Sequence, residues 1–435
     1  MRVLIVTIGS RGDVQPYVAL GKGLAAAGHE VTLCTNEHFA DFVAEQGLRY
    51  GRMNNGFVDL ITSLEGRAGL ERMTSLPGTI LTIARLARKI GPLQQSALAD
   101  AWQVASGLRP DVILLHPKLP GVVDMADALG VPALVAPLFP QVVATGDFPA
   151  VGFPGRSLGR GYRRLTYRMV EVLTDRIASG PIRAWRRDAG LGARPPRLGL
   201  LSDRHGERRP VLHGLSGIVC PRPDDWPDTA VTCGFWTLET ASEWAPPPAL
   251  LAFLDQGPPP VYVGFGSMAG RNPERLTRVV AGALAQAGCR GIIASGWGGL
   301  RQEDLPSGVY TLSEVPHDWL FPRVAAVVHH GGAGTTAAAL RAGRPTVVCP
   351  FFADQPFWGR RVHALGAGPA PIPQKRLTAE RLAVAIRSAL TDPAMQAAAG
   401  EIGQRLRAEN AVANTVAWIE RWMASGGAGR HRSGG

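Results

Sequence analysis

The sequence has little cysteine, and the cysteines that it has stand far apart. Its 435 residues include five, and no two of them form a C-x-x-C pair: Cys34, Cys220, Cys233, Cys289 and Cys349. Five widely spaced cysteines without a C-x-x-C pair favour neither a disulfide scaffold nor a zinc ribbon, and we expect neither. The scarcity also favours a reducing compartment, and we expect a cytoplasmic location.

Long hydrophobic runs are absent as well. The apolar run at residues 3–8 is too short for a signal peptide, and the longest uncharged stretch, residues 128–146, is interrupted by three prolines. A membrane-spanning helix needs about 20 apolar residues with few breaks. We therefore expect no integral membrane segment.

Lysine occurs only four times, and arginine makes the chain basic. Lys and Arg number 46 against 35 Asp and Glu, a formal net charge of +11, and residues 156–209 hold fourteen Arg and five acids. This stretch has no zinc-finger spacing, RNA-binding aromatic motif or heptads, so we expect no nucleic-acid partner. A solvated helical face, contact with an anionic acceptor and peripheral contact with a membrane stay open for it.

The composition that remains is globular, with 46% hydrophobic and 19% charged residues, and the length suits two or three domains. Short apolar runs predict strands at residues 2–8, 30–34, 111–116, 131–136, 261–265, 291–295, 325–329 and 345–350. Helical patterns alternate with them at residues 14–27, 37–46, 273–287, 335–342 and 355–365. The α/β order predicts two doubly wound parallel sheets, with ligands at the carboxyl ends of the strands.

Composition also places the domain boundaries. We predict an N-terminal domain over residues 1–220, a Pro-rich linker over 221–248 and a C-terminal domain over 249–408. Apolar residues at helical spacing predict a C-terminal helix over 409–424 that packs back on the N-terminal domain. Residues 425–435 are rich in Gly, Ser and Arg and are expected to be disordered.

The most specific motif joins a predicted strand to an Ala-rich helix and reads HHGGAGTT over residues 329–336. Small residues let the backbone approach an anion closely, and a helix N-terminus offers unpaired N–H groups. The His330 imidazole and the hydroxyls of Thr335 and Thr336 can add hydrogen bonds. The motif predicts a phosphate-binding loop, and the plainer alternative is a glycine turn beside core histidines.

Three segments of the second domain resemble a known family. They are EVPHDW at residues 314–319, HGGAGTT at 330–336 and PFFADQ at 350–355. Together they resemble the donor-binding signature of the family 1 nucleotide-sugar glycosyltransferases, whose GT-B fold has two Rossmann-like domains facing across a cleft. The start of the chain, GSRGDVQP at residues 9–16, is similar to the sterol-glucosyltransferase and glycopeptide-antibiotic branches. Residues 54–109 and 147–209 show too little resemblance to use.

The resemblance implies a set of donor-binding residues. His330, Gly334 and Thr335 would hold the diphosphate, Asp354 and Gln355 the sugar hydroxyls. The full set is Ser10, Gly266, Ser267, Trp297, Val315, His317, His330, Gly332, Gly334, Thr335, Asp354 and Gln355. In it, Gly266 and Ser267 would contact the phosphate from the other side, the Val315 backbone would contact the base and His317 the ribose. Trp297 stacks on the base or fills the core.

Two departures from the family pattern leave the nucleobase open. Glu314 stands where plant members usually have Trp, and Ala338 stands where many members place a ribose-binding Glu. The donor is therefore a UDP- or dTDP-sugar, which acts as a co-substrate, and no other cofactor is expected. The sequence has no D-x-D motif and no metal-ligand spacing, so we expect no metal.

Asp13 is the candidate for activating the acceptor hydroxyl, because it directly follows the first strand and its glycine turn. An Asp with an ordinary pKa of about 3.9 is a weak base for an alcohol, so it would accept the proton late or mainly align the hydroxyl. The alternative is a carboxylate that caps the following helix. His116, at the end of the strand at 111–116, would share the proton with Asp13, line the acceptor site or be structural.

These observations lead to an inverting, metal-independent glycosyltransferase. It would move a hexose to a hydroxyl of a lipophilic molecule, such as a polyketide, terpenoid or sterol, in natural-product or antibiotic biosynthesis. The acceptor follows from the branch resemblance, and six apolar side chains are candidates for its pocket: Met53, Phe57, Leu76, Phe139, Phe148 and Phe153. Alternatives are a non-catalytic nucleotide-sugar-binding auxiliary protein and a GT-B sugar epimerase. Both a monomer and a homodimer stay open.

Overall fold

The computed structural model describes residues 1–62, 76–155, 158–239, 244–266, 273–294, 305–306, 308–312 and 315–427. The chain divides into two compact units. The first contains Met1–Gly217, Pro221–Leu238 and the chain from Asn410 onward, and the second contains Ile218–Cys220 and Glu239–Glu409. Each unit is built around one parallel sheet with flanking helices, which confirms the predicted α/β class.

The first sheet is made of short, buried strands. They are β1 (Arg2–Val6), β2 (Glu30–Asn36), β3 (Arg49–Met53), β4 (Val112–Leu115), β5 (Ala133–Val135), β6 (Val211–His213) and β7 (Ala230–Thr232). All of them pair in parallel, in the order β3-β2-β1-β4-β5-β6-β7. Every residue of β1 after Arg2 is buried, because helices cover both faces of the sheet.

Among the described residues, six helices of the first unit precede the second unit in the chain. They are α1 (Arg11–Ala26), α2 (Ala40–Glu45), α3 (Gly56–Thr62), α4 (Leu76–Leu108), α5 (Val122–Leu129) and α6 (Gly159–Asp188). The long helices α4 and α6 pack against each other. The sequence predicted no element for the segment of α4, and for the Arg-rich segment of α6 it offered a solvated helical face without bounds. Residues 37–46, predicted as one helix, are a 3-10 turn at Glu37–Phe39 followed by α2.

The second sheet contains β8 (Val261–Gly264), β9 (Gly291–Ala294), β10 (Val309–Leu312), β11 (Ala326–His329) and β12 (Thr346–Val348). These strands are also parallel, in the order β10-β9-β8-β11-β12. The accompanying helices are α7 (Pro248–Asp255), α8 (Pro273–Ala287), α9 (His317–Leu320), α10 (Ala333–Arg341), α11 (Gln355–Ala364), α12 (Ala379–Thr391) and α13 (Pro393–Ala408). Helices α10 and α13 pack closely, and a Cβ added to Gly403 would lie 2.6 Å from the Cα of Gly343.

The last helix, α14 (Ala411–Trp422), returns to the first unit. Val416 and Ile419 join the core formed by β1 and α1, and Gly23 of α1 leaves room for Val412. Trp236 Nε1 donates a hydrogen bond to Thr415 Oγ1 at 2.9 Å, which fixes the helix in register. Residues 428–435 of the predicted disordered tail lie outside the described residues.

The segment predicted as a linker, residues 221–248, differs from that expectation. It contains β7, the edge strand of the first sheet, and the structure assigns it to the first unit as far as Leu238. The nearby prolines, Pro223 and Pro227, precede the strand and do not interrupt its hydrogen bonds. The proline-rich composition did not reveal the three-residue strand β7, so the predicted linker begins before the first unit ends.

Each sheet has one place where the strand order reverses. In the first sheet this is between β1 and β4, and in the second it is between β8 and β11. Loops that leave the carboxyl ends of two such strands diverge to opposite faces and open a crevice, where open α/β sheets bind ligands. The predicted acceptor-activating residues follow β1 and β4, and the predicted phosphate loops follow β8 and β11.

Candidate functional site

In the first unit, Asp13 lies in the first turn of α1 and its carboxylate turns back toward the start of the helix. Asp13 Oδ2 accepts hydrogen bonds from the Ser10 backbone N–H at 2.8 Å and from Ser10 Oγ at 3.0 Å. Gly9 has φ +139°, and a Cβ there would overlap the Asp13 carboxylate. Asp13 Oδ2 therefore caps the helix, as the alternative interpretation of this carboxylate predicted. Oδ1 is then the oxygen that a substrate could contact.

Oδ1 of Asp13 is held by a residue that the sequence analysis did not select. Lys118 Nζ lies 2.5 Å from Asp13 Oδ1, and the Asp13 side chain is 16% exposed while that of Lys118 is 36% exposed. Strands β1 and β4 are neighbours, with Val6 opposite Leu115, so residues that follow them meet at one sheet edge. The signal available in the sequence was the position of this rare lysine two residues after His116.

His116 is fully buried beside this ion pair but does not hydrogen-bond to Asp13. Its Nδ1 accepts a hydrogen bond from the Lys118 backbone N–H at 3.0 Å, which places the ring proton on Nε2. Nε2 is 3.7 Å from Asp13 Oδ1 and has no hydrogen-bond partner among the described residues. Of the three roles left open for His116, this geometry does not provide a direct hydrogen bond to Asp13. Lys118 makes the direct contact with the carboxylate instead.

The charges of this cluster set its protonation. Burial raises the pKa of Asp13, but the Lys118 charge and the hydrogen bonds outweigh burial and hold that pKa below its usual value. Burial, with the nearby Lys118, lowers the pKa of His116 to about 3, so the imidazole is neutral. The cluster therefore presents an ionised carboxylate that can accept a hydrogen bond from a hydroxyl group.

In the second unit, the predicted phosphate-binding loop joins β11 to α10. The Gly331 backbone N–H donates to His329 Nδ1 at 2.9 Å, which closes the turn, and Gly331 has φ +93°. A Cβ on Gly331 would lie 2.7 Å from Val348 Cγ1 and 3.0 Å from the Gln355 carbonyl oxygen, so only glycine fits. The loop is thereby packed against the one that follows the neighbouring strand β12.

The start of α10 has the features of an anion site. Gly332 caps the helix without a side chain, and the first intrahelical bond runs from Thr336 N to the Gly332 carbonyl at 2.9 Å. The preceding backbone N–H groups have no acceptor within the helix. A Cβ on Gly334 would meet nothing within 4 Å, which leaves space for a ligand. The Thr336 hydroxyl, in contrast, donates its hydrogen bond to the Gly332 carbonyl oxygen.

His330 provides a second observation that points to a ligand. Its Nδ1 is buried and makes no hydrogen bond of good geometry to any described residue. Burial lowers the pKa of His330 to about 4, and the nearby Gly264 backbone offsets this only in part. Gly266, at φ +56° after β8, lies beside the same ring, since its Cβ would be 3.6 Å from His330 Cε1. The structure therefore brings together His330, Gly332 and Gly266 around the start of α10.

Asp354 and Gln355 begin α11. The Gln355 side chain is buried, and its Oε1 accepts hydrogen bonds from the backbone N–H groups of Phe351 at 2.7 Å and Phe352 at 3.2 Å. Asp354 Oδ2 accepts from Trp358 Nε1 at 2.8 Å. Because the Gln355 oxygen is already used, its amide N–H groups are the part that can donate to a sugar hydroxyl.

The other predicted donor residues are distributed differently. His317 starts α9 and stacks on Phe321, with ring centroids 4.3 Å apart, and Val315 is half-buried just before it. Ser10 lies in the first unit and hydrogen-bonds to Asp13. Ser267 and Trp297 lie outside the described residues. Their contacts with a donor stay predictions.

The six apolar candidates for the acceptor pocket do not form one described surface. Met53 is fully buried in the core of the first unit, and Phe148 packs against that core. Phe139 and Phe153 are half-buried, and the side chains of Phe57 and Leu76 lie outside the described part of the structure. Met53 is a core residue because β3 points it inward.

Comparison with known proteins decides the family. Residues 3–145 match the glycosyltransferase family 28 N-terminal domain, and residues 295–420 match the C-terminal domain described as erythromycin biosynthesis protein CIII-like. Two sterol 3-beta-glucosyltransferases of Arabidopsis thaliana are 36% and 33% identical to this chain over 434 residues, and the alignments cover 96% and 97% of it. The chain belongs to the nucleotide-sugar glycosyltransferases.

This chain spans only part of the length of these relatives. The alignments cover 64% and 68% of the two plant enzymes. A sterol 3-beta-glucosyltransferase of Saccharomyces cerevisiae is 32% identical over 427 residues, and the chain spans 34% of its length.

Solved structures show the same GT-B fold. The glycotransferase of kitacinnamycin superposes with a TM-score of 0.68 at 21% identity, covering 97% of this glycosyltransferase and 98% of that chain. The calicheamicin glycosyltransferase CalG4 superposes with a TM-score of 0.66 at 19% identity, with 98% of each chain covered.

Proposed function

We propose that this glycosyltransferase moves a hexose from a UDP- or dTDP-sugar to a hydroxyl group of a sterol-like lipophilic acceptor, with inversion at the anomeric carbon. The observation that carries the proposal is the alignment with sterol 3-beta-glucosyltransferases over 96% of the chain. The two residue clusters at the strand-order reversals support it, because each has the chemistry that one half of the reaction needs.

The residues proposed to bind the nucleotide-sugar donor lie around the start of α10. The diphosphate binds the unpaired N–H groups after Gly332, with Thr335 and His330 as further donors. Asp354 and the Gln355 amide bind the sugar hydroxyls. A half-buried histidine whose pKa is held at about 4 is neutral near pH 7 and keeps an N–H to donate to a phosphate oxygen. These groups stabilise the negative charge that grows on the leaving diphosphate.

The acceptor half is the Asp13 carboxylate. The acceptor oxygen forms a bond to the anomeric carbon while the bond from that carbon to the diphosphate oxygen breaks. The hydroxyl proton passes to Asp13 Oδ1, and the nucleoside diphosphate leaves. Because Lys118 and the hydrogen bonds hold the pKa of Asp13 below its usual value, the proton moves late and the carboxylate first aligns the hydroxyl.

Calorimetric titration with UDP, dTDP and NAD tests the donor half, on the unchanged protein and on His330→Ala. We expect micromolar binding of one pyrimidine diphosphate and its loss in the variant. Binding of NAD alone, or of none of the three, would remove the transferase proposal.

A transfer assay tests the acceptor half, with UDP-glucose or dTDP-glucose and a panel of sterols and polyketide aglycones. Asp13→Asn should lower turnover by about 10²–10⁴-fold while nucleotide binding persists. Asp228→Asn, at an exposed carboxylate, is the matched control and should be unaffected. Nucleotide binding without transfer to any acceptor would favour the auxiliary-protein alternative, and conversion of the sugar without an acceptor would favour the epimerase.

A further inference from the structure

Helix α6 exposes a row of large apolar side chains to solvent. The five residues, between 42% and 60% exposed, are Leu158, which directly precedes the helix, and Leu165, Met169, Val172 and Leu173 within it. In the described part of the chain, only Leu251 and Val384 are exposed large apolar residues that lie elsewhere. The exposure is thus concentrated on one helix and is not scattered over the surface.

These five residues share one face. At 3.6 residues per turn they fall within an arc of about 100° around the helix axis. The opposite face is the one that packs on the first unit, through the buried side chains Tyr167, Ala178, Ile182 and Trp185. The helix therefore has two apolar faces, and only one of them is used for packing within the described residues.

Arginines surround the exposed face, and several have no counter-charge. Arg160 and Arg164 bind Asp225, and Arg186 binds Asp124. In contrast, three exposed arginines have side chains that make no ion pair or hydrogen bond with any described residue: Arg168, Arg176 and Arg183. By helical position, Arg168 borders the apolar row, while Arg176 and Arg183 continue it along the axis.

We propose that this face of α6, defined by the five apolar residues with Arg168, Arg176 and Arg183, docks the protein on a membrane surface that contains anionic lipid. Apolar side chains enter the boundary between headgroups and acyl chains, while arginines reach back to the phosphates. A bilayer with anionic lipid offers an apolar layer for the exposed apolar side chains and negative charge for the arginines.

A second copy of the chain is a poorer occupant of the face. Symmetric pairing would bring the unpaired arginines of two identical faces together, and like charges oppose such contact. In this proposal the protein lies on the membrane surface and does not span the bilayer. No helix among the described residues is long and apolar enough to cross a membrane.

The proposal stands on the geometry of α6 and does not depend on the activity proposed above. It would hold for a protein that only binds nucleotide sugars. Should both proposals be right, the docked protein would work next to lipids of the class that it glycosylates.

Vesicle flotation tests the docking. Full-length protein is mixed with vesicles of phosphatidylcholine alone, or with a third of the lipid replaced by phosphatidylserine. Binding should occur only to the second kind and should weaken at high salt, because the attraction of arginine to anionic headgroups is screened. The triple variant Leu165→Ser/Met169→Ser/Leu173→Ser should abolish binding. Arg168→Gln/Arg176→Gln should weaken it by about fivefold per charge.

The matched control is Val384→Ser/Arg405→Gln, which changes an exposed apolar residue and an exposed arginine on other helices and should bind as the unchanged protein does. Unchanged melting temperatures of all variants would show that they fold, as expected for exposed positions. Absence of binding to anionic vesicles, or binding that the α6 variants leave intact, would overturn the proposal. So would a concentration-dependent dimer that the α6 triple variant abolishes, since that would identify a second copy as the occupant.

Discussion

Replacing Lys118 with methionine keeps the length of the side chain and removes the ammonium group that lies 2.5 Å from Asp13 Oδ1. In the unchanged protein this charge is the first of the influences that oppose burial and keep the pKa of Asp13 low. Without it, burial raises the pKa of Asp13 with only the Ser10 hydrogen bonds in opposition. Lys118→Arg, which keeps the charge, is the matched control.

The expected loss of stability lies between two known limits. Exposed ion pairs contribute about 0–1 kcal/mol, and removing one partner of a fully buried pair costs about 3–5 kcal/mol. Asp13 is 16% exposed, but Lys118 is 36% exposed and is partly screened by water. We therefore expect Lys118→Met to lower the free energy of unfolding by about 1–2 kcal/mol.

The pH dependence has a definite sign. The pKa of Asp13 is lower in the folded chain than in the unfolded one, so its stabilisation is present above about pH 4 and is lost as the pH falls through the folded-state pKa. The difference in melting temperature between Lys118→Met and the unchanged protein should thus be full at pH 7 and shrink below about pH 4. In the transfer assay, the acid limb of kcat/KM should move to higher pH, and Lys118→Arg should restore it.

Two results would refute this account of Lys118. One is a melting difference that does not change with pH, which would indicate lost packing and no charge effect. The other is an acid limb that stays in place in Lys118→Met while Asp13→Asn abolishes turnover, since Asp13 would then act without help from the lysine.

Three further predictions concern the second unit. Gly332→Ala places a Cβ 2.6 Å from His330 Nε2, so it should displace the ring and weaken nucleotide binding by about tenfold or more, measured by calorimetry. Gln355→Ala leaves two backbone N–H groups without their acceptor, at a cost of about 1–3 kcal/mol each in thermal unfolding. Gln355→Glu, which keeps an acceptor oxygen, should lose less. Gly403→Ala drives a Cβ against the backbone of Gly343 and should cost about 1–3 kcal/mol, and an unchanged melting temperature would contradict the close packing described for α10 and α13.

The regular parts of the fold were readable because their patterns are local. Helix α8 has the predicted bounds of Pro273–Ala287, and the runs that became β1, β8 and β11 were found to within one or two residues. These strands are buried on both faces, so each appears as an unbroken apolar run between turn residues.

The missed elements lack such a pattern. The apolar residues of α6 lie on two opposite faces and blur the helical period, and arginine fills the gaps between them. Strands β6 and β7 have three residues each, too few for any period, and are held by pairing with strands that are distant in sequence.

The sequence by itself determined the alternating α/β order, the glycine-rich loop after β11 and the position of Asp13 after β1, because each is specified by neighbouring residues. The tertiary structure alone decided which residues meet. Parallel pairing of β1 with β4 brings Lys118 to Asp13 across 105 positions, and the packing of Gly331 against the loop after β12 brings Gln355 beside the glycine-rich loop. Long-range pairing of strands, the charge of Lys118 that lowers the pKa of Asp13, and the burial that lowers the pKa of His116 and His330 all depend on the whole fold, so no local pattern encodes them.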